Sequence, residues 1–188
     1  VLEQFSDEEL MNSYKSGDVS AFDELYNRYE KRLFAFLNRR IPGNEALALD
    51  VFQLSWLKVH SSRDKFDSKF KFSSWIYTIA MNSLRDELGE AWKRYGQELH
   101  ENEAYSETEI ESPLAAAERG ELREVIESAL QMLSAPQREA IILSDIEGFS
   151  SKEIAQMMEL SDGAVRQLIF RGRKELLVLF DKQGLKSA

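Results

Sequence analysis

Arg166, Gln167, Phe170, Arg171, Arg173 and Lys174 fall on one side of a helical wheel, opposite Val165, Leu168, Ile169, Gly172 and Leu176. Residues 163–174 hold four cations and no carboxylate, in a chain whose net charge is −9. A helix gripped by one face and cationic on the other suits the major groove of duplex DNA, where arginine forks match guanine edges. An amphipathic surface helix would show the same wheel, so the neighbouring signals decide. Ser150 with Glu153 has capping-box spacing, in which a hydroxyl and a carboxylate satisfy unpaired backbone N–H groups at a helix start. Ser161 is placed to cap the helix that follows. Two short capped helices around a tight turn make a helix-turn-helix.

A second constellation lies at Lys65-Phe66-Asp67-Ser68-Lys69-Phe70-Lys71-Phe72, where three lysines alternate with three phenylalanines. That combination suits unstacked single-stranded DNA, because rings stack on bases while cations hold phosphates. In a second reading Phe66 and Phe70 plug the loop onto the core and the lysines are merely solvated. Asn82, on the helix that follows, is a candidate for hydrogen bonding to an exposed base edge.

The elements that must position these groups all read as helix. Ser6 and Glu9 form another capping box, with Phe5 and Leu10 placed as a hydrophobic staple. A second helix begins at Asp18, repeats Phe22, Leu25, Tyr26, Tyr29, Leu33, Phe36 and Leu37 at helical spacing, and ends at Pro42-Gly43. A third runs from about Asn44 to His60, carrying Leu47, Val51, Leu54 and Leu57. A fourth starts near Phe72, with Trp75, Ile76, Ile79 and Leu84 on its buried side. After an acidic stretch come a helix from about Pro113 to Leu133, another after Ser134 and Pro136, and the helix-turn-helix. The expected fold is all-α, two small helical domains joined by a linker.

Charge supports that division. Residues 1–97 carry 14 Lys+Arg and 15 Asp+Glu, whereas residues 98–127 carry ten Glu against Arg119 and Arg123. Residues 128–188 carry eight of each sign. The excess acid is therefore concentrated in one segment, expected to be solvated and mobile, and the flanking domains are free to meet DNA locally. Cysteine is absent, which excludes disulfides and thiolate metal sites. With His60 and His100 as the only histidines, no Glu-x-x-His pair and no glycine-rich phosphate loop, neither catalysis nor a cofactor is expected. No apolar run is long enough to span a bilayer and no signal-peptide pattern opens the chain, so membrane insertion is not expected and the cytoplasm is the expected location.

Taken in order, these residues resemble the bacterial sigma factors of the extracytoplasmic-function (ECF) class within the sigma-70 family. Gly17-Asp18 with Ala21-Phe22, Leu25-Tyr26 and Arg28-Tyr29 resembles the family's opening pattern. Asp50 and Gln53, followed by Trp56-Leu57-Lys58-Val59, look like its segment for binding core polymerase. Phe66 through Trp75-Ile76-Tyr77-Thr78-Ile79-Ala80-Met81-Asn82 and Asp86 resembles its promoter-melting segment. Leu133, Pro136, Arg138, Gly148-Phe149-Ser150, Glu153-Ile154-Ala155 and Gly163-Ala164-Val165-Arg166 with Arg171 and Arg173 resemble its C-terminal helix-turn-helix.

The resemblance implies a promoter-specificity subunit that performs no covalent chemistry. Residues 1–97 would form the region 2 domain, 98–112 the acidic linker and 113–188 the region 4 domain. Asp50, Gln53 and Trp56 would dock on the β′ clamp helices of RNA polymerase core, and the second domain would touch the β flap. Phe66, Lys69, Phe70, Lys71, Phe72 and Asn82 would bind the melted −10 strand and capture an extruded base. Arg166, Gln167, Phe170 and Arg171 would read the −35 duplex, with Arg173, Lys174, Ser161 and Arg138 holding phosphates. The linker would run through the RNA exit channel, and an anti-sigma factor would hold the chain inactive.

Three segments depart from the family pattern. Leu54 stands where a carboxylate is common, Gln167-Leu168 replaces Ser-Arg, and the melting helix ends on Glu87, Glu90 and only Lys93-Arg94 rather than an arginine-rich run. Two other classes fit part of the pattern: a conventional dimeric helix-turn-helix regulator, and a sigma-like decoy that binds polymerase without directing initiation.

Overall fold

The computed structural model describes residues 2–41, 43–101 and 122–182, and these are helix and turn, with no strand among them. They fall into two compact units, Val1–Trp92 and Lys93–Ala188. The expected acidic linker at 98–112 lies mostly outside the described residues, as does the start of the helix expected from Pro113. Among the described residues no helix is long and apolar enough to cross a membrane.

The first unit contains α1 (Asp7–Lys15), α2 (Val19–Arg40), α3 (Glu45–Ser62) and the start of α4 (Phe72–Glu101). Helix starts follow the sequence signals. The Ser6 hydroxyl accepts from Glu9 N at 3.2 Å while the Glu9 carboxylate accepts from Ser6 N at 2.8 Å. Donation from the Ser6 backbone N–H, then from the Ser6 hydroxyl, holds the Glu9 carboxyl below its usual range. Asp18 caps α2 through Ser20 N, and Asn44 caps α3 through Leu47 N.

Packing is organised by α2, which buries Leu25, Tyr29, Leu33, Phe36 and Leu37. Its Phe22 and Tyr26 meet Trp56 of α3 with ring centroids 5.4 and 5.1 Å apart. Farther along, Tyr29 packs edge-on to Phe72 at 5.4 Å and Phe36 against Tyr77 at 4.9 Å, both on α4. Aromatic pairs in such tilted or edge-on arrangements add about 0.5–1.5 kcal/mol each beyond area burial. On α3 the buried stripe is Ala48, Val51, Phe52, Ser55, Trp56 and Val59, and Leu57 is 65% exposed. This corrects the expected stripe through Leu57: the aromatic pair fixes the rotation of α3 because it offers more area to bury than the leucines.

A polar strap ties α1 to α2. The Arg28 guanidinium donates to Asp7 at 2.8 Å, Glu24 at 2.7 Å and the Phe5 carbonyl at 2.9 Å, while the Tyr29 hydroxyl donates to the second Asp7 oxygen. Burial, then the neighbouring Asp7 carboxylate, pushes the Tyr29 phenol far above its ordinary value. α4 is interrupted at Gly89, whose φ of 46° and ψ of −121° break the helical ladder in a conformation that only glycine adopts at low cost.

The second unit comprises α5 (Leu122–Gln131), α6 (Ala135–Ile141), a wide helical turn at Ile142–Ile146, α7 (Ser151–Met158) and α8 (Asp162–Lys182). Its core holds Leu130, Leu133, Ile141, Ile142, Leu143, Ile154, Met157 and Val165. α8 crosses α6 so closely that a Cβ at Gly172 would stand 2.9 Å from Cγ1 of Ile141. Glycine there sets how deeply α8 seats. The wide turn is anchored to α8 by Asp145, which accepts from Arg173 Nη2 at 2.5 Å and Nε at 3.0 Å.

The Arg173 fork, with the Ser144 hydroxyl, holds the Asp145 carboxyl below its usual range. A depressed carboxyl stabilises the fold above the unfolded-state value of about 3.9 and loses that contribution as pH falls through the folded value. Asp145→Asn should therefore lower stability at neutral pH by less than about 1 kcal/mol, since the pair is partly exposed. Below the folded carboxyl value the variant and the parent should converge, as thermal unfolding across pH would register.

Candidate nucleic-acid and polymerase-binding surfaces

The helix-turn-helix is closed by local bonds at each step. Ser150 and Glu153 form the capping box of α7, with Ser150 N donating to the Glu153 carboxylate at 2.8 Å. α7 stops at Glu159, which takes the left-handed conformation at φ 56°, and Leu160 N returns to the Ala155 carbonyl at 2.9 Å. Ser161 then caps α8 by accepting from Ala164 N at 3.2 Å. The Ser151 hydroxyl donates to Asp162 at 2.6 Å, tying the first residue of α7 to the first of α8. The angle between the two helices is thus fixed by polar bonds as well as by Ile154, Met157 and Val165 in the core.

With Val165, Ile169 and Gly172 turned inward, Arg166, Gln167, Phe170, Arg171 and Lys174 are exposed along one side of α8. Phe170, 69% exposed, is a large ring kept in water. Arg166 is paired with Asp162 at 2.6 Å. Two of the expected phosphate contacts have partners within the chain. Arg173 spends its fork on Asp145, and Arg138 donates to the Gln131 side chain at 2.7 Å and to the Gln131 and Leu133 carbonyls. Guanidinium is the side chain best able to close a helix C-terminus with several donors, and Arg138 does so at the α5–α6 corner. Asp145, the partner of Arg173, escaped sequence reasoning because nothing local signals a pair 28 residues apart.

In the first unit the Lys-Phe loop divides its rings. Phe66 (3% exposed) and Phe72 (fully buried) join Trp75, with Phe66 5.1 Å from Trp75 and 6.0 Å from Phe72. The expectation that these two stack on bases is corrected: their rings are spent on the core. Phe70, which the plugging alternative would have buried, is 62% exposed instead. It lies at the end of a turn where Phe70 N donates to the Asp67 carbonyl at 3.0 Å and Lys69 N to the Asp67 carboxylate at 3.0 Å. Lys69 and Lys71 flank it and are exposed. Asn82 is exposed on α4, its carbonyl oxygen accepting from Arg85 at 3.3 Å.

On α3, Asp50 and Gln53 face solvent. Trp56 does not: at 5% exposed it belongs to the aromatic core, which corrects its expected place at a docking surface. The exposed apolar residues beside Asp50 and Gln53 are Leu49 and Leu57. Leu49, Gln53 and Leu57 recur every four residues, a signal legible once Phe52 and Trp56 are assigned to the core.

Residues 25–94 match the family described as Sigma-70 region 2, and residues 123–176 that described as Sigma-70, region 4. RNA polymerase sigma factor CarQ of Myxococcus xanthus is 33% identical over 181 residues, covering 95% of this chain and 99% of its own. The ECF RNA polymerase sigma-E factor of Escherichia coli K12 is 29% identical over 93% of this chain and 94% of its own. Among solved structures, CnrH in complex with the cytosolic domain of CnrY matches with a TM-score of 0.67 at 29% identity, covering 95% of this chain and 99% of that one. RpoE from Bartonella quintana, solved with the anti-sigma factor NepR, matches with a TM-score of 0.61 at 26% identity over 85% and 96%. A cationic helix-turn-helix and a lysine-phenylalanine loop on separate units, in this family order and over this length, make the chain a member of the ECF class of sigma-70-family RNA polymerase sigma factors.

Proposed function

We propose that the first unit docks on RNA polymerase core and opens the −10 element, while the second reads the −35 element as duplex. The observation carrying this reading is that one chain exposes two differently built surfaces that pair cations with an exposed ring. One is a rigid helix with Arg166, Gln167, Phe170, Arg171 and Lys174 outward, suited to a groove. The other is a turn with Lys69, Phe70 and Lys71 outward and Asn82 nearby in sequence, suited to an unpaired strand. Base extrusion costs a few kcal/mol of stacking, and an exposed ring on a held turn is the group able to offset it. Docking on the clamp helices of the β′ subunit falls to Asp50 and Gln53 with the apolar Leu49 and Leu57 beside them. The region 4 unit touches the β flap. The chain itself makes and breaks no covalent bond and works in the cytoplasm beside polymerase.

The structural relatives also support a regulator. CnrH and the Bartonella RpoE were each solved with a protein bound, CnrY and the anti-sigma factor NepR. An anti-sigma factor of that kind covering the polymerase- and DNA-facing surfaces would keep this chain silent until released.

Run-off transcription from fragmented genomic DNA with homologous core polymerase tests the reading. New starts sharing a two-part upstream sequence are the expected result. Core binding without transcripts would instead indicate a decoy, and DNA binding without core binding a conventional regulator.

Arg171→Ala should weaken closed-complex formation at the −35 element by about 1–3 kcal/mol, the range for one guanine-reading fork. Asn82→Ala should leave closed complexes intact and reduce strand opening seen by permanganate footprinting; equal effects of both changes on both complexes would overturn this division. Phe70→Ala should impair opening with thermal stability unchanged. Phe66→Ala should cost about 3–5 kcal/mol of stability, as expected for a buried ring, which chemical denaturation would measure.

A further inference from the structure

The loop between α3 and α4 is gripped at both shoulders by charged side chains from α1. Lys15 donates its ammonium to the Phe66 carbonyl at 2.8 Å, and the Glu8 carboxylate accepts from Phe72 N at 2.8 Å. The second bond satisfies one of the N–H groups left open at the start of α4, a capping role supplied from 64 residues away. Glu8 and Lys15 are two helical turns apart on one face of α1, so a single rigid element spans the loop. The Tyr14 hydroxyl, hydrogen-bonded to His60 Nδ1 near the end of α3, fixes the same helix on the other approach. Between the shoulders stand Lys69, Phe70 and Lys71, and Phe66 and Phe72 are buried beneath them.

We infer that Glu8 and Lys15 are positioning residues for promoter opening: they hold the ends of the loop so that Phe70 and its lysines meet an unpaired strand already in place. This rests on the reading of that loop as the −10 strand contact. The physical reason is entropic. A loop that must order on binding loses part of its contact energy to that ordering, and charge-assisted hydrogen bonds to its backbone remove the cost in advance. Neither residue faces DNA under this assignment, and neither belongs to the family pattern quoted from the sequence. Both act through backbone atoms, so the side chain at the far end must keep its bonding type and reach but not its charge sign toward DNA.

The test compares Glu8→Ala and Lys15→Met with the rescue variants Glu8→Gln, which still accepts a hydrogen bond, and Lys15→Arg, which still donates one. All are assayed as full chains with core polymerase on one promoter. The expected result is a loss of about tenfold in permanganate-reactive open complexes for the first two, corresponding to one ordered residue's worth of backbone freedom. Core affinity should stay unchanged, and amide exchange at Lys69, Phe70 and Lys71 should rise. Recovery in Glu8→Gln and Lys15→Arg should follow. Unchanged opening in Glu8→Ala and Lys15→Met, or core affinity falling in parallel with opening, would overturn the inference while leaving the sigma reading intact. Failure of the unsubstituted chain to open the promoter with core would overturn that reading and the inference with it.

Discussion

The burial of two aromatic faces by α2 is the constraint on which the first unit depends. Phe22 and Tyr26 need the indole of Trp56, and Tyr29 and Phe36 need Phe72 and Tyr77. Satisfying both pairs at once leaves α3 and α4 one rotation each about their own axes. The rotation of α3 sends Asp50, Gln53, Leu49 and Leu57 to water, and that of α4 does the same for Asn82. The proposed functional surfaces are what remains once the rings have been packed. The second unit reaches the same end with aliphatic groups, where Val165, Ile169 and the close approach at Gly172 leave α8 its cationic side.

Much of this was legible in the sequence, and for identifiable reasons. The capping boxes at Ser6 and Ser150, and the caps at Asp18, Asn44 and Ser161, are local chemistry acting over three residues, so spacing alone finds them. The outward face of α8 followed from helical periodicity. What could not be read was any choice between equivalent residues settled by distant partners. Phe66, Phe70 and Phe72 alternate identically with lysine, yet two are buried and one is not, because Trp75 and Tyr29 provide a slot for only two. The partners of Arg173 and Arg138 within the chain were equally out of reach, because cations look alike in sequence until a carboxylate or a helix end is brought to them.

The same logic explains how α1, the shortest α-helix of the first unit, comes to matter. Its apolar side supplies Leu10, Met11 and Tyr14 to the core. Its polar residues reach outward in two directions, Asp7 to Arg28 and Tyr29, Glu8 and Lys15 to the α3–α4 loop. Core packing and loop placement are therefore coupled through one element, and a change that tilts α1 is felt at both.

The internal pairing of cations on α8 has a consequence for ionic strength. Association with duplex DNA releases condensed counterions in proportion to the phosphates neutralised, so a protein with many free cations binds any sequence tightly in dilute salt. Arg173 is paired with Asp145 and Arg166 with Asp162, whereas Arg171 and Lys174 on the same face are exposed. On the proposed reading of this face as the duplex contact, each such pair lowers the number of counterions released there and with it the sequence-independent part of the affinity. On that reading, α8 alone gains less from sliding along bulk DNA, and residence at a site leans more on readout contacts.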